Sequence, residues 1–69
     1  MMNVTINCEP HDIPAGLTVQ ELLSHLSLND GRIAVERNHD IVRRADWPTT
    51  QIEADDTLEI VHFVGGGAQ

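Results

Sequence analysis

Met2-Asn3-Val4-Thr5-Ile6-Asn7-Cys8 alternates apolar and polar positions without a break, the period of a strand with one face on a core. Met2, Val4, Ile6 and Cys8 are expected to point inward. Glu9-Pro10-His11 has turn chemistry. His11-Asp12-Ile13-Pro14 then reads as the returning arm of a hairpin, ended by a proline that cannot donate to a ladder.

The period changes at Thr18. Val19, Leu22, Leu23 and Leu26 fall at i, i+3, i+4 and i+7, the apolar stripe of an amphipathic helix. Thr18-Val19-Gln20-Glu21 is a capping box, in which the threonine hydroxyl accepts the backbone N–H three residues on and Glu21 reaches back to the N–H of Thr18. Leu17 before the cap and Leu22 at the fourth helical position have the spacing of a hydrophobic staple. The helix is predicted to run to Leu26 or Ser27, with Asn29-Asp30-Gly31 as the turn after it.

Arg32 to Arg37 resumes an extended pattern, with Ile33 and Val35 on one face and Ala34 and Glu36 on the other. Asn38-His39-Asp40 forms a turn into Ile41-Val42-Arg43, a second hairpin. Arg44 to Ile52 is irregular, and its single tryptophan, Trp47, is expected to plug one end of a small core. Ala54-Asp55-Asp56-Thr57 turns the chain into its last strand.

From Leu58 to Val64 apolar and β-branched residues dominate, and Gly65-Gly66-Gly67-Ala68-Gln69 follows at once. Glycines have no Cβ to pack and the highest chain entropy, so order is expected to end near Val64. The chain divides into a folded domain over 1–64 and a flexible glycine-rich tail over 65–69. A strand that delivers a bare tail to the surface suits entry into another protein's narrow active site.

The predicted order is strand, strand, helix, strand, short strand, final strand: a two-layer α+β fold with one helix on a mixed sheet. The first and last strands are the most regular and apolar, so they are placed side by side in the middle of the sheet; if they pair in parallel, the intervening hairpin and helix make the crossover. Leu58, Ile60 and, by parity, His62 face the helix; Glu59, Val61 and Phe63 face the other way. One helix cannot cover both faces, so Val61 and Phe63, with Val64 beside the tail, are the expected partner contacts.

Composition narrows the function. At 69 residues and 7.6 kDa the chain supports one small core. Eleven carboxylates against four Lys and Arg, a net charge of -7, exclude a phosphate-binding face, so nucleic acid is not an expected partner. No apolar run approaches membrane-spanning length and no secretory leader pattern precedes the first strand, which predicts no membrane partner and a cytoplasmic location. Cys8 has no second cysteine to pair with and reads as a buried structural thiol.

The remaining polar residues suggest no catalysis. His11, His25, His39 and His62 show no metal-ligand spacing. The adjacent Asp55 and Asp56 read as turn formers rather than an acid–base pair. Arg37, Arg43 and Arg44 read as solvated or paired with carboxylates such as Glu36 and Asp46, the alternative being a small basic spot that docks an acidic patch.

The element order, the tetrad Val35-Glu36-Arg37-Asn38 and the block from Asp55 to Gly67 closely resemble the thiamine-biosynthesis sulfur carrier family, ThiS, over nearly the whole chain. The resemblance implies a ubiquitin-like β-grasp fold with a mixed sheet of about five strands, and a protein cosubstrate rather than an enzyme. In such carriers the terminal glycine carboxylate is adenylated by an E1-like enzyme (ThiF-like) using ATP and magnesium, the carrier itself binding no cofactor. The carboxylate becomes a thiocarboxylate, and its sulfur passes to a thiazole synthase (ThiG-like).

By position Gly67 is the implied adenylation and thiocarboxylate site, with Gly65 and Gly66 threading into the partner's active site. Family members commonly end at this glycine, whereas this chain continues with Ala68-Gln69, so either a peptidase removes the pair, the reading favoured here, or the carrier role has been lost or altered. The free carrier is expected to be a monomer. Two other readings stay open: sulfur carriage for another pathway, such as molybdopterin or a specialised metabolite, and a non-reactive β-grasp interaction module.

Overall fold

The computed structural model describes residues 1–28 and 32–62. Among these the order is β1 (Met2–Ile6), β2 (Glu9–Ile13), α1 (Val19–His25), β3 (Ile33–Arg37), β4 (Asp40–Val42), a short 3-10 turn (Arg44–Asp46) and β5 (Thr57–His62). The five strands form one sheet in the order β2-β1-β5-β3-β4. β1 and β5 stand side by side, as the sequence predicts, and their pairing is parallel, whereas the other neighbours are antiparallel.

The helix forms where the capping box places it. Glu21 N–H donates to Thr18 Oγ1 at 3.2 Å and Thr18 N–H donates to Glu21 Oε1 at 2.9 Å. Val19, Leu22 and Leu23 are buried against Val4, Ile6, Val35, Leu58 and Ile60 of the sheet, with Leu17 and Leu26 partly buried at the margin. The helix stops at His25 with Leu26 as its cap, and Ser27 follows in the left-handed region at φ 60°. The predicted turn at Asn29-Asp30-Gly31 lies outside the described residues.

The first hairpin differs from the prediction. β1 ends at Ile6, and Asn7 and Cys8 form the two-residue turn, at φ 51° and 70°. Positive φ at both central residues matches the twist of the flanking strands. Cys8 is therefore exposed and not a core thiol. Asn7 tolerates the left-handed conformation, and its side chain makes two bonds to the Ile60 backbone, so the chain turns at Asn7 and the apolar alternation does not reach Cys8. Pro10 lies in β2 opposite Thr5. Thr5 donates its N–H to the other side, to the Asp56 carbonyl at 2.9 Å, and on an edge strand the missing proline donor leaves no bond unmade.

The second hairpin repeats the device, with Asn38 and His39 at φ 52° and 74° between Arg37 and Asp40. Its return strand is Asp40–Val42, one residue earlier than expected; Arg43 instead precedes the 3-10 turn. Trp47 is buried, donates from Nε1 to the Val42 carbonyl at 3.0 Å and carries the Arg44 guanidinium 4.9 Å above its ring. It closes one end of the core as predicted.

Candidate functional site

β5 is the centre of the sheet and the strand that leads to the glycines. Two polar clamps hold it. At its start Asp56 is buried and accepts three hydrogen bonds: from Arg37 Nε to Oδ2 at 2.6 Å, from Glu53 N–H to Oδ2 at 2.8 Å and from Asn38 Nδ2 to Oδ1 at 3.0 Å. Asn38 also accepts the Thr57 N–H at Oδ1 (2.9 Å) and donates its own N–H to the Thr57 carbonyl (2.7 Å). Burial pushes the Asp56 carboxyl up, but the Glu53 N–H, the Arg37 side chain with its charge and the Asn38 amide together outweigh it and hold the group below its ordinary value.

Asp56 is thus the hub of a buried network, a role beyond the turn former read from the sequence, while Asp55 does turn the chain, at φ 68°. Arg37 pairs with Asp56 rather than with Glu36 or Asp46. Within the tetrad Val35-Glu36-Arg37-Asn38 the roles now separate. Val35 packs in the core, Arg37 and Asn38 anchor β5, and Glu36 stands on the open face. The signal available in sequence was an arginine ending one strand, an asparagine in the turn after it and an aspartate just before the last strand.

The second clamp is Asn7. Ile60 N–H donates to its Oδ1 at 2.8 Å and its Nδ2 donates to the Ile60 carbonyl at 3.1 Å. A single amide thus mimics one more residue of β1 beside β5 after β1 has turned away.

Beyond the clamps β5 alternates as predicted, Leu58 and Ile60 buried, Glu59 and Val61 exposed. His62, expected inward by parity, is exposed although its cross-strand neighbour Ile33 is buried. A seven-residue helix spans about 10 Å, whereas a six-residue strand spans about 20 Å, so the end of β5 outruns its cover. Of the predicted partner contacts Val61 is 52% exposed; Phe63 and Val64, like Gly65, Gly66 and Gly67, lie outside the described residues. The histidines are dispersed over β2, the end of α1, the second hairpin turn and the end of β5. Among the described residues no group of three His, Cys, Asp or Glu side chains could hold a metal ion, and no helix is long and apolar enough to cross a membrane.

The sequence profile of the ThiS family matches residues 4–67, from β1 through the third glycine. The chain belongs to the ThiS family. The crystal structure of the thiamine biosynthesis protein ThiS from Geobacter metallireducens superimposes with a TM-score of 0.84 at 33% identity, over 96% of this chain and all of that one. That likeness identifies the five-stranded sheet with its covering helix as the ubiquitin-like β-grasp of ThiS proteins. The sulfur carrier protein ThiS of Bacillus subtilis is 40% identical over 50 residues, 72% of this chain and 76% of that protein. A thiazole synthase of Magnetococcus marinus is 41% identical over 66 residues, 96% of this chain but 20% of that protein. This chain therefore spans about a fifth of that thiazole synthase's length. ThiS proteins are small sulfur carriers and not themselves enzymes.

Proposed function

We propose that this protein carries sulfur for the thiazole ring of thiamine by means of its Gly67 carboxylate. The observation that carries the reading is that the ThiS match, continuous from Val4 through β5, runs to residue 67 and leaves out Ala68 and Gln69. A peptidase first removes that pair, because a glycine carbonyl in a peptide bond has no free carboxylate to activate. An E1-like adenylating enzyme then binds the carrier together with ATP and magnesium. A Gly67 carboxylate oxygen attacks the α-phosphate and pyrophosphate departs. Hydrosulfide attacks the carbonyl carbon of the resulting acyl adenylate, AMP leaves, and loss of the S–H proton leaves a thiocarboxylate.

The chain's own part is to present the tail. Residues 1–64 are the grip and residues 65–69 the tail; Gly65 and Gly66, having no side chains, thread a channel that a Cβ would obstruct, and Val61, Phe63 and Val64 contact the partner around its mouth. A thiazole synthase is the acceptor, which the likeness to part of the Magnetococcus marinus thiazole synthase supports. All of these steps take place in the cytoplasm, with the carrier monomeric between encounters.

Intact-mass spectrometry tests the proposal. A chain ending at Gly67 and one ending at Gln69 are incubated with ATP, magnesium, a sulfur source and the adenylating enzyme. Only the shorter chain is expected to exchange one oxygen for sulfur, and Gly67→Ala in it is expected to suppress the exchange. Modification of the full-length chain with Ala68-Gln69 retained would remove Gly67 from the role. Binding by both chains with modification of neither would make the protein an interaction module.

A further inference from the structure

On the open face of the sheet the register sets Glu36 of β3 directly opposite Glu59 of β5, and Ile41 of β4 on the other side of Glu36. Directly opposed side chains in an antiparallel pair have Cβ atoms about 5 Å apart, and like charges placed so are destabilising. The same-face neighbours in the register are Ala34, Ile41, Thr57 and Val61, none of them cationic, and Arg43, two residues beyond Ile41, forms no ion pair with either glutamate. Arg37 is turned inward to Asp56 and Arg44 lies over Trp47. Among the described residues neither glutamate has a side-chain hydrogen bond or ion pair.

Of the three large hydrophobic residues exposed among the described residues, the same face carries two, Ile41 at 64% and Val61 at 52%. The patch is thus a pair of carboxylates without an ion-pair partner beside two exposed aliphatic groups, and it spans β4, β3 and β5, the strand that precedes the glycines in sequence. A second copy of this chain is a poor occupant, since docking face to face would bring four carboxylates together on chains that each carry a net charge of -7.

Resting on the carrier reading above, we infer that Glu36 and Glu59 together receive one arginine or lysine of the adenylating enzyme, whose surrounding apolar surface rests on Ile41 and Val61. The adenylating enzyme is favoured over the acceptor by charge. It must hold an acidic carrier, its terminal carboxylate and polyanionic ATP at once, so cationic groups on its docking surface are needed to bring the two anions together. The repulsion between the two glutamates in the free carrier becomes attraction to a shared cation in the complex.

The experiment is ATP–pyrophosphate exchange by the organism's own E1-like adenylating enzyme, with carrier ending at Gly67, across a range of salt concentrations. Glu36→Gln/Glu59→Gln is expected to raise the half-saturating carrier concentration about tenfold at low salt, and the difference is expected to shrink as salt screens the wild type. Its denaturation midpoint is expected to match or exceed that of the wild type, since the substitutions relieve repulsion. Glu9→Gln/Glu53→Gln changes net charge equally at exposed positions elsewhere and is expected to leave saturation unmoved.

Saturation unchanged in the Glu36/Glu59 variant overturns the inference and leaves the carrier reading standing. An equal shift in the control pair, or a shift confined to binding by thiazole synthase, also overturns it. Absence of any exchange with the wild type removes the carrier reading and the inference together.

Discussion

Arg37 donates from Nε to Oδ2 of Asp56 at 2.6 Å, tying the end of β3 to the start of β5 with 8% of the aspartate side chain exposed. Removing one partner of a buried charged pair costs more than the pair contributes, because the other charge stays buried and uncompensated. Asp56→Ala leaves Arg37, Asn38 and the Glu53 N–H without their shared acceptor, so a loss of about 3 kcal/mol is expected, read as a lower urea midpoint. Arg37→Ala, whose side chain is 29% exposed, is expected to cost less, because Asp56 keeps two of its three donors.

The same carboxylate sets an acid limit on stability. Its folded-state pKa lies below its ordinary 3.8, so folding favours the ionised form and the unfolded chain binds the proton more readily. The contribution is complete above the unfolded value and is lost as pH falls from about 4 through the depressed folded value. Asp56→Asn is expected to flatten the urea midpoint across that range while the wild type declines steeply. Equal slopes in the two proteins would show that other carboxylates govern acid unfolding.

Distance along the chain separates the features that were legible in the sequence from those that were not. The capping box spans three residues, Thr18 to Glu21, and the stripe from Val19 to Leu26 is equally local, so the helix was legible. The pairing of β1 with β5 followed from two alternating apolar strands. Cys8 was misplaced because alternation alone does not say where a strand turns, and His62, on the face that parity gives it opposite Ile33, is exposed because alternation does not say where the cover ends. The turn at Asn7 depends on Ile60, 53 residues away, and the role of Arg37 on an aspartate 19 residues away.

Asn7 combines two roles that substitution can separate. Asn7→Gly keeps the left-handed turn but loses both bonds to the Ile60 backbone, whereas Asn7→Ala loses the bonds and strains the turn as well. Leaving the Ile60 N–H and carbonyl without these partners is expected to cost about 1–2 kcal/mol in the glycine variant, and the alanine variant is expected to lose about 1 kcal/mol more. Equal losses in a denaturant titration would mean that the backbone conformation contributes nothing.

Cys8 supplies the converse case. A core thiol replaced by glycine would leave a cavity and destabilise the fold. An exposed residue at φ 70° holds a conformation that L side chains enter at a cost and glycine enters freely. Asparagine followed by glycine is also the preferred pair for a two-residue turn of this hand. Cys8→Gly is therefore expected to raise stability by roughly 0.5 kcal/mol, shifting the thermal midpoint of a domain this small upward by a few degrees. The free thiol is expected to react with a thiol reagent in the native wild type at a rate close to that of the unfolded chain. A lowered midpoint, or a thiol protected until the protein unfolds, would return Cys8 to the core.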